Sequence, residues 1–507
     1  MRQEKRRPGA AALVMALCVL ACAASARAAW PAPQGVERMP DTVRRPDTKK
    51  GEPVAPFVLK RIPLEDVSFY AKGGSQPDTF VTFSPDSRLL AIGTFRGRIK
   101  VIDLYRGRIL WQRKVAEGMV KTIDFAPDGQ TVFFGEQSVD GFVYAVDAKT
   151  GADRWRFRLA DDLEASAPPG EDDPWGIYQL PGCFRMKALA DGGLLVLGVH
   201  TWGDYDQANA VRRWSRVYRL SREGKTVWAF PKAGPAPMTF VHMDGDAGGR
   251  RVALLATDVG SNAPDDYTLE SGTLYGIDGA TGDLAGGYTF QPLEPYFDVV
   301  WFWHSVSVGT KGQRAAVGLF DGRSYLFDLD TVRPLHEFDF GVPVMMGDIA
   351  VSASATYTTV APDGVTYFQT GVSSVPLGSK AEKVTAPPGP HPNANTINAV
   401  DADGHVLWRY RSGHHYQDFW TSADGRWVIT SAEKQDQAGQ DAGVILFDTA
   451  RQGGGSAKFV YYYQVGGRCL FNADISPDGS TIAIVEVPYV DPKTQMLTGA
   501  YQVHIIR

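Results

Sequence analysis

The side chains with the widest chemical reach in this 507-residue chain are a few histidines and three clusters that mix acids with aromatics. His304 closes the run Trp301-Phe302-Trp303-His304, His414 and His415 are adjacent and run into Tyr416, and His200 stands two residues before Trp202. Imidazoles that converge can ligate copper, zinc or haem iron, or shuttle protons. An adjacent pair says little by itself, because neighbouring residues of a strand point to opposite faces. The acids group as Glu171, Asp172 and Asp173 with Trp175, as Asp204 and Asp206 with Trp202 and Tyr205, and as Asp265 and Asp266 with Tyr267. Such groups suit a cation, a sugar or a basic partner segment. No Asp-x-Asp-x-Asp-Gly calcium loop is among them, so no metal is assigned. The plainer reading of each is a solvated loop carboxylate or a satisfied histidine, since most such residues have no further role.

Composition narrows the partners. The chain is 44% hydrophobic and 21% charged, as in an ordinary soluble protein. Arg2, Lys5, Arg6 and Arg7 precede an apolar run from Ala11 to Ala24, and Ala26-Arg27-Ala28 fits small-x-small cleavage. Residues 1–28 are therefore expected to be a secretion signal cleaved after Ala28, giving a periplasmic or secreted protein. Val19-Leu20-Ala21-Cys22 offers a second outcome, a lipoprotein anchored at Cys22 and associated with an outer membrane. Losing residues 1–28 removes five positive charges and Glu4, which takes the net charge from −5 to −9. An acidic surface argues against nucleic acid, which calls for a basic face. Only Cys183 and Cys469 stay in the exported part, and they are expected to be unpaired. The absence of CxxCH argues against covalent c-type haem.

The elements that must position these residues are short strands joined by two alternating turns. Residues 29–53, rich in Pro and charge, read as a flexible leader. From residue 54 on, a first turn recurs at Ser84-Pro85-Asp86, Ala126-Pro127-Asp128-Gly129, Asp191, Asp244-Gly245, Lys311, Ala361-Pro362-Asp363-Gly364, Ala423-Asp424-Gly425 and Ser476-Pro477-Asp478-Gly479. A second turn falls between these copies, at Asp103, Asp147, Ser221, Asp278, Asp328, Asp401 and Asp448. The first set repeats about every 55 residues, within the range of propeller blades that carry loop insertions. The reading is an all-β protein, one β-propeller over 54–507 with eight four-stranded blades, or seven if one copy is misread. The last blade lacks its outer strand, and Val54 to Ile62 is apolar enough to supply it from the other end of the chain.

The stretch Gly141 to Trp155, GFVYAVDAKTGADRW, resembles the repeat of pyrroloquinoline-quinone-type propellers, in which a Trp packs between neighbouring blades. The Gly-x3-Trp spacing recurs at Trp111, Trp155, Trp228 and Trp408, whereas Gly286 and His336 hold the Trp place in two other copies. The SPDG-like turns resemble those of WD40-type propellers. The resemblance implies the fold, but this architecture hosts dehydrogenases, scaffolds and assembly factors alike. True quinoprotein dehydrogenases of this repeat carry an adjacent Cys-Cys pair and a calcium set, and neither is found here.

The long segments are 159–180, 201–212, 257–271, 371–396, 432–441 and 486–499, all at B–C or D–A positions. One face should therefore be plain and the other decorated, and a decorated face on a rigid scaffold is where binding is expected. The candidate binding residues are Trp175, His200, Trp202, Asp204, Tyr205, Asp265, Asp266, Tyr267, Trp303, His304, His414 and Tyr416. The expected function is a monomeric scaffold propeller that holds a protein or small ligand on this face, with no catalytic residue assigned. The rival is a redox enzyme or electron-transfer partner with pyrroloquinoline quinone or a metal ion at the channel mouth.

Overall fold

The repeat hairpin folds because its turn satisfies its own backbone. In the strand pair Phe142–Asp147 and Asp153–Arg158, Asp147 accepts the N–H groups of Lys149 and Thr150 at 3.1 and 3.0 Å. Gly151 then turns the chain at φ +71°, where a Cβ would clash. The other turn works through serine: Ser476 Oγ donates to Asp478 at 2.6 Å and accepts the Thr481 N–H at 2.9 Å. Ser84 and Ser422 repeat the arrangement.

The computed structural model describes residues 36–38, 58–68, 79–115, 118–170, 174–204, 207, 210–303, 305–376, 387–411, 415–433, 442–449, 458–469 and 473–507. Among them the strands fall into eight successive antiparallel arrays of four. The innermost strands are Phe80–Phe83, Gly118–Phe125, Gly182–Ala188, Met238–Gly245, Val306–Val308, Ile349–Val360, His415–Thr421 and Ala473–Ile475. Each touches the next, and the last touches the first, so the inner strands enclose a central channel. The fold is a β-propeller. Four short strands elaborate the ring: Val344–Met346 extends the sixth array inward, Val36–Arg38 runs parallel to its outer strand Val406–Arg411, and Tyr489–Val490 pairs with Leu497–Thr498 in a loop of the eighth.

The eighth array takes its outer strand from the other end of the chain. Val58–Pro63 pairs antiparallel with Gln502–Ile506, and Leu64 N–H reaches Tyr501 O at 3.0 Å. The expected closing segment, Val54 to Ile62, thus forms its strand four residues later, with Val54 to Phe57 outside the described residues.

Neighbouring arrays are fastened by tryptophan. The Trp111 indole donates to Ala148 O at 2.9 Å, Trp155 to Arg222 O at 2.8 Å and Trp228 to Gly279 O at 2.8 Å, each on the following array. Gly151, Gly224 and Gly282 lie against those rings so closely that an added Cβ would sit 2.5–2.7 Å from them. One of the two copies that lack a Trp reverses the fit, while in the other Gly404 lies against the His336 ring. Gly286 stands in the Trp place, and Val332 stands in the facing turn at φ +50°, with its Cγ2 3.2 Å from where a Gly286 Cβ would be. A bulky residue on the turn replaces the missing bulk on the strand. Trp408 packs into the core between the sixth and seventh arrays with Tyr367 and Phe447.

Candidate functional site

In an antiparallel array the A–B and C–D hairpins share one end, and the B–C and D–A connections share the other. The A–B hairpins here are short throughout. The connections at the opposite end include 159–181, 260–272, 290–305, 375–395 and 487–501. The segment 290–305, which carries Trp301 and Trp303, is a long connection beyond those expected from the turns alone.

The first of these connections is a built structure. It holds a short helix, Ala160–Leu163, and a 3₁₀ turn, Pro174–Gln179. His200 is its anchor. The ring is 1% exposed, its Nδ1 lies 2.6 Å from Leu163 O, and its Nε2 lies 2.8 Å from Ser166 Oγ and 3.1 Å from Gln179 O. Burial pushes its pKa down, so the imidazole is neutral near neutral pH. Both ring nitrogens are thereby engaged in holding the loop. Trp202 stacks on His200 at 3.9 Å between ring centroids, and the Arg212 guanidinium covers Trp202 at 5.1 Å. Asp204 accepts from Gln207 at 2.9 Å beside them.

The other candidates fall elsewhere on the same end. Asp265 and Asp266 are exposed on the fourth array's loop, and Tyr267 folds its ring back onto the core between the third and fourth arrays. Trp303 donates its indole N–H to Tyr357 at 2.9 Å, at the start of the channel wall. Tyr416 is 0% exposed and belongs to the core between the sixth and seventh arrays, so its side chain meets no ligand from outside. Next to it, His415 Nδ1 lies 3.1 Å from Glu433 Oε2. Tyr205, His304, His414 and the Trp175 side chain, with Glu171 to Asp173 and Asp206, lie outside the described residues. The structure thus pairs His200 with Trp202, and leaves the acidic loop and Trp303 as separate points around the rim.

The channel wall carries charges that the loop argument missed, and one of them, Asp244, lies on the strand rather than in the expected turn, which runs from Asp246 to Arg250. Asp124, Asp244 and Asp474 sit two residues before the A–B turn of the second, fourth and eighth arrays. One oxygen of each accepts the next N–H of its own strand at 2.8 Å. The other accepts an N–H from the inner strand of the following array, from Ala188 at 2.8 Å, Val308 at 2.7 Å and Phe83 at 2.9 Å. Lys187 lies 3.6 Å from Asp244, whose charge holds its ammonium above the usual range. Each of these side chains is ringed by protein yet keeps part of its surface open, because the opening is the channel itself. Their signal was in the sequence: an Asp between two apolar residues, just ahead of the turn. Asp418, on the seventh inner strand, is pushed up to about 6 by burial, against the pull of the Arg185 charge and the Phe419 N–H.

The Asp latches give a pH signature. Burial pushes Asp474 up to about 7, with the Asp124 charge adding to it and the Phe83 and Ile475 N–H groups opposing it. The folded pKa lies above the ordinary carboxylate value of 3.8, so this group's contribution is full below about pH 4 and is lost as pH rises through about 7. The stability gap between wild type and Asp474→Asn should therefore be wider at pH 5 than at pH 8 in urea melts. A gap that does not change with pH would show that the carboxylate is ionised throughout.

Two features of the plain end are structural. A cavity of about 300 Å³ lies between the second and third arrays, lined by Asp128, Arg154, Trp155, Arg222 and Glu223 among others. Its floor is the Trp155 fastening, and Arg154 and Arg222 are already paired with Asp147 and Asp128 at 3.0 and 3.5 Å. Asp401, Asp403 and His405 are close enough together to share a metal ion, but they are largely exposed. Asp401 accepts the N–H groups of Asp403 and His405 at 2.9 Å each, which is the geometry of the repeat turn. Cys183 and Cys469 are buried and form no disulfide with one another, and burial pushes both thiols well above their usual range.

Comparison with known proteins adds to this. The family profile described as "Outer membrane protein assembly factor BamB" matches residues 76–157 and 95–292. No curated protein matches the sequence. Among solved structures the chain is similar to Saccharomyces cerevisiae Sqt1, at 9% identity over 89% of this chain and 99% of that one, with a TM-score of 0.51. It is also similar to the Cps50 (Swd1) beta-propeller domain of Myceliophteria thermophila, at 10% identity and the same coverage, with a TM-score of 0.44.

Proposed function

We propose that this chain, a β-propeller of PQQ-like and WD40-like repeats, is an eight-bladed binding scaffold that holds a protein partner on its decorated end. The observation that carries the reading is the placement of long connections, the first of them anchored by a buried histidine, at one end of a ring whose A–B turns at the other end are all short. Loops that are fixed in place by buried polar contacts present a preformed surface, and binding to such a surface loses less conformational entropy. The family profile matched by residues 76–292 is described as an assembly factor, which favours protein interaction over catalysis. The seat of the protein is the periplasm or the exterior, with residues 1–28 as its export signal. That segment lies outside the described residues, and no described helix is long and apolar enough to cross a membrane.

The test is charge reversal on the rim. Asp265→Lys with Asp266→Lys, both exposed, should weaken capture of the natural partner while leaving the melting temperature unchanged. A matched reversal on the plain end, Asp403→Lys, should leave capture intact. Equal loss from both ends would overturn the assignment of the face. A purified protein that carries a visible chromophore or stoichiometric metal would replace the scaffold by the redox reading.

A further inference from the structure

Charge is spread unevenly around the ring, and the fourth array is its extreme. From Val252 to Thr310 the chain holds eight acids and no Lys or Arg. Two of the acids, Asp278 and Asp283, belong to the C–D turn and pair with Arg251 and Lys232. The other six are Asp258, Asp265, Asp266, Glu270, Glu294 and Asp298. All are exposed, on the connections 260–272 and 290–305 or on the strand end that leads into the first of them. Among the described residues none of the six has an ion-pair partner. The nearest bases of the adjoining arrays are engaged elsewhere. Arg213 donates to Val259 O at 3.3 Å, and Arg323 is held by Asp321 and Gln291 O at 2.6 Å each.

Apolar surface lies among these acids. Val259 is 44% exposed and Val299 56%. The two connections that carry them join into one surface. The Thr289 hydroxyl donates to Glu270 at 2.6 Å, the Phe290 N–H reaches Gly272 O at 3.0 Å, and Val300 Cβ lies 3.1 Å from where a Gly272 Cβ would be.

Like charges gathered without counter-charges raise the local negative potential and draw in a cation. The arrangement says which kind. The acids are spread along two connections, and none of them belongs to a group close enough to share a metal ion. A chain bearing several positive charges can meet several of them at once. The exposed valines call for apolar groups between those charges, which a polyamine or a metal ion lacks. Nucleic acid and anionic lipid surfaces are repelled.

We propose that the decorated surface of the fourth array receives a basic segment of the protein partner, with apolar side chains set among its Lys and Arg. This rests on the reading of the decorated end as the binding face, and adds which array receives the partner and by what chemistry.

The probe is a labelled peptide of alternating Lys and Leu, titrated into the full exported chain and followed by fluorescence anisotropy. Binding should saturate, and should weaken about tenfold between about 50 and 200 mM salt. A Glu-Leu peptide should not bind, and a Lys-Ser peptide should bind more weakly. Asp258→Asn with Asp298→Asn should weaken the Lys-Leu peptide about tenfold. Val259→Ser with Val299→Ser should remove its advantage over the Lys-Ser peptide. Asp128→Asn with Asp403→Asn makes the same change of net charge at the plain end and should leave binding unaltered. Equal losses from the two Asn pairs would show that the peptide reads only overall acidity, and would overturn the proposal, as would the absence of saturable binding. The Lys-Leu peptide should also displace the natural partner from the wild-type chain. A partner that stays on the decorated end while the peptide is bound would refute this partner chemistry and leave the face in place. A partner held at the plain end would overturn both.

Discussion

A chain that begins at residue 69 is expected to lose several kcal/mol of stability and to aggregate at concentrations where the intact protein stays monomeric. Residues 58–68 tie the two ends of the ring together. They give the eighth array its outer strand through the pairing of Val58–Pro63 with Gln502–Ile506. They also bury Ile62 and Val67 in a core that includes Val485, Val503 and Ile505 of the eighth array and Leu90 and Ile92 of the first. Burying two such side chains contributes about 1.5–3 kcal/mol each. Polar contacts from the same segment reach the first array. Lys60 donates to Gly107 O at 2.5 Å, Glu65 accepts the Arg96 N–H at 3.0 Å and pairs with Arg98 at 3.0 Å. Without the segment, Gln502–Ile506 becomes an open edge able to pair with another chain. Urea melts and sedimentation check this, and a synthetic peptide of residues 56–68 added in trans should restore both properties. A truncated chain with an unchanged midpoint would mean that the ring closes by other contacts.

Glu486→Ala is the point substitution with the largest expected cost, about 3–5 kcal/mol, as for other buried pairs broken from one side. The carboxylate is 3% exposed and fully committed. Its Oε2 lies 2.6 Å from His504 Nε2 and accepts from Gln502 at 2.6 Å, while its Oε1 accepts the N–H groups of Gly467 at 2.8 Å and Ala500 at 3.2 Å. His504 Nδ1 in turn meets the Tyr463 hydroxyl at 2.8 Å, which links the seventh array to the eighth. Alanine would leave the imidazole, an amide and two backbone donors buried without an acceptor. Burial alone would raise the Glu486 pKa, but the His504 and Gln502 bonds outweigh it and hold the carboxyl below its usual value. With a depressed folded pKa, its contribution is present above the unfolded value near 4.5 and is lost as pH falls below it. Glu486→Gln should therefore be milder, and its deficit should shrink under acid. Adding His504→Leu to Glu486→Ala should cost less than the two singly, since the residues share one network. Strict additivity in the double variant would show that they do not act together.

The ring was legible in the sequence because turns are local. Asp147, Gly151 and Trp155 each do their work within one hairpin or against the next copy of it, so type and spacing carried the architecture. The Gly286–Val332 exchange was half visible: the missing Trp could be counted, but the valine that replaces its bulk lies 46 residues on and is recognised only once the arrays are stacked. Asp124 and Asp474 were passed over for a different reason, and Asp244 was read as part of the turn that follows it. An Asp inside an apolar strand reads as an irregularity until the neighbouring array supplies the N–H it accepts. His200 illustrates the converse. Its residue type suggested ligand chemistry, whereas its position in the fold commits both nitrogens to a loop 21–37 residues away.

The central claim is that the decorated end receives the partner, and site-specific photo-crosslinking tests it most directly. A photoreactive phenylalanine analogue would be placed at Asp265 and at Val299, both exposed on the decorated end, and at Tyr105, 93% exposed on a C–D turn of the plain end. With each full chain expressed in its own compartment, positions 265 and 299 should cross-link to one common protein and position 105 should not. A cross-link to that protein from 105, with none from 265 or 299, would contradict the account.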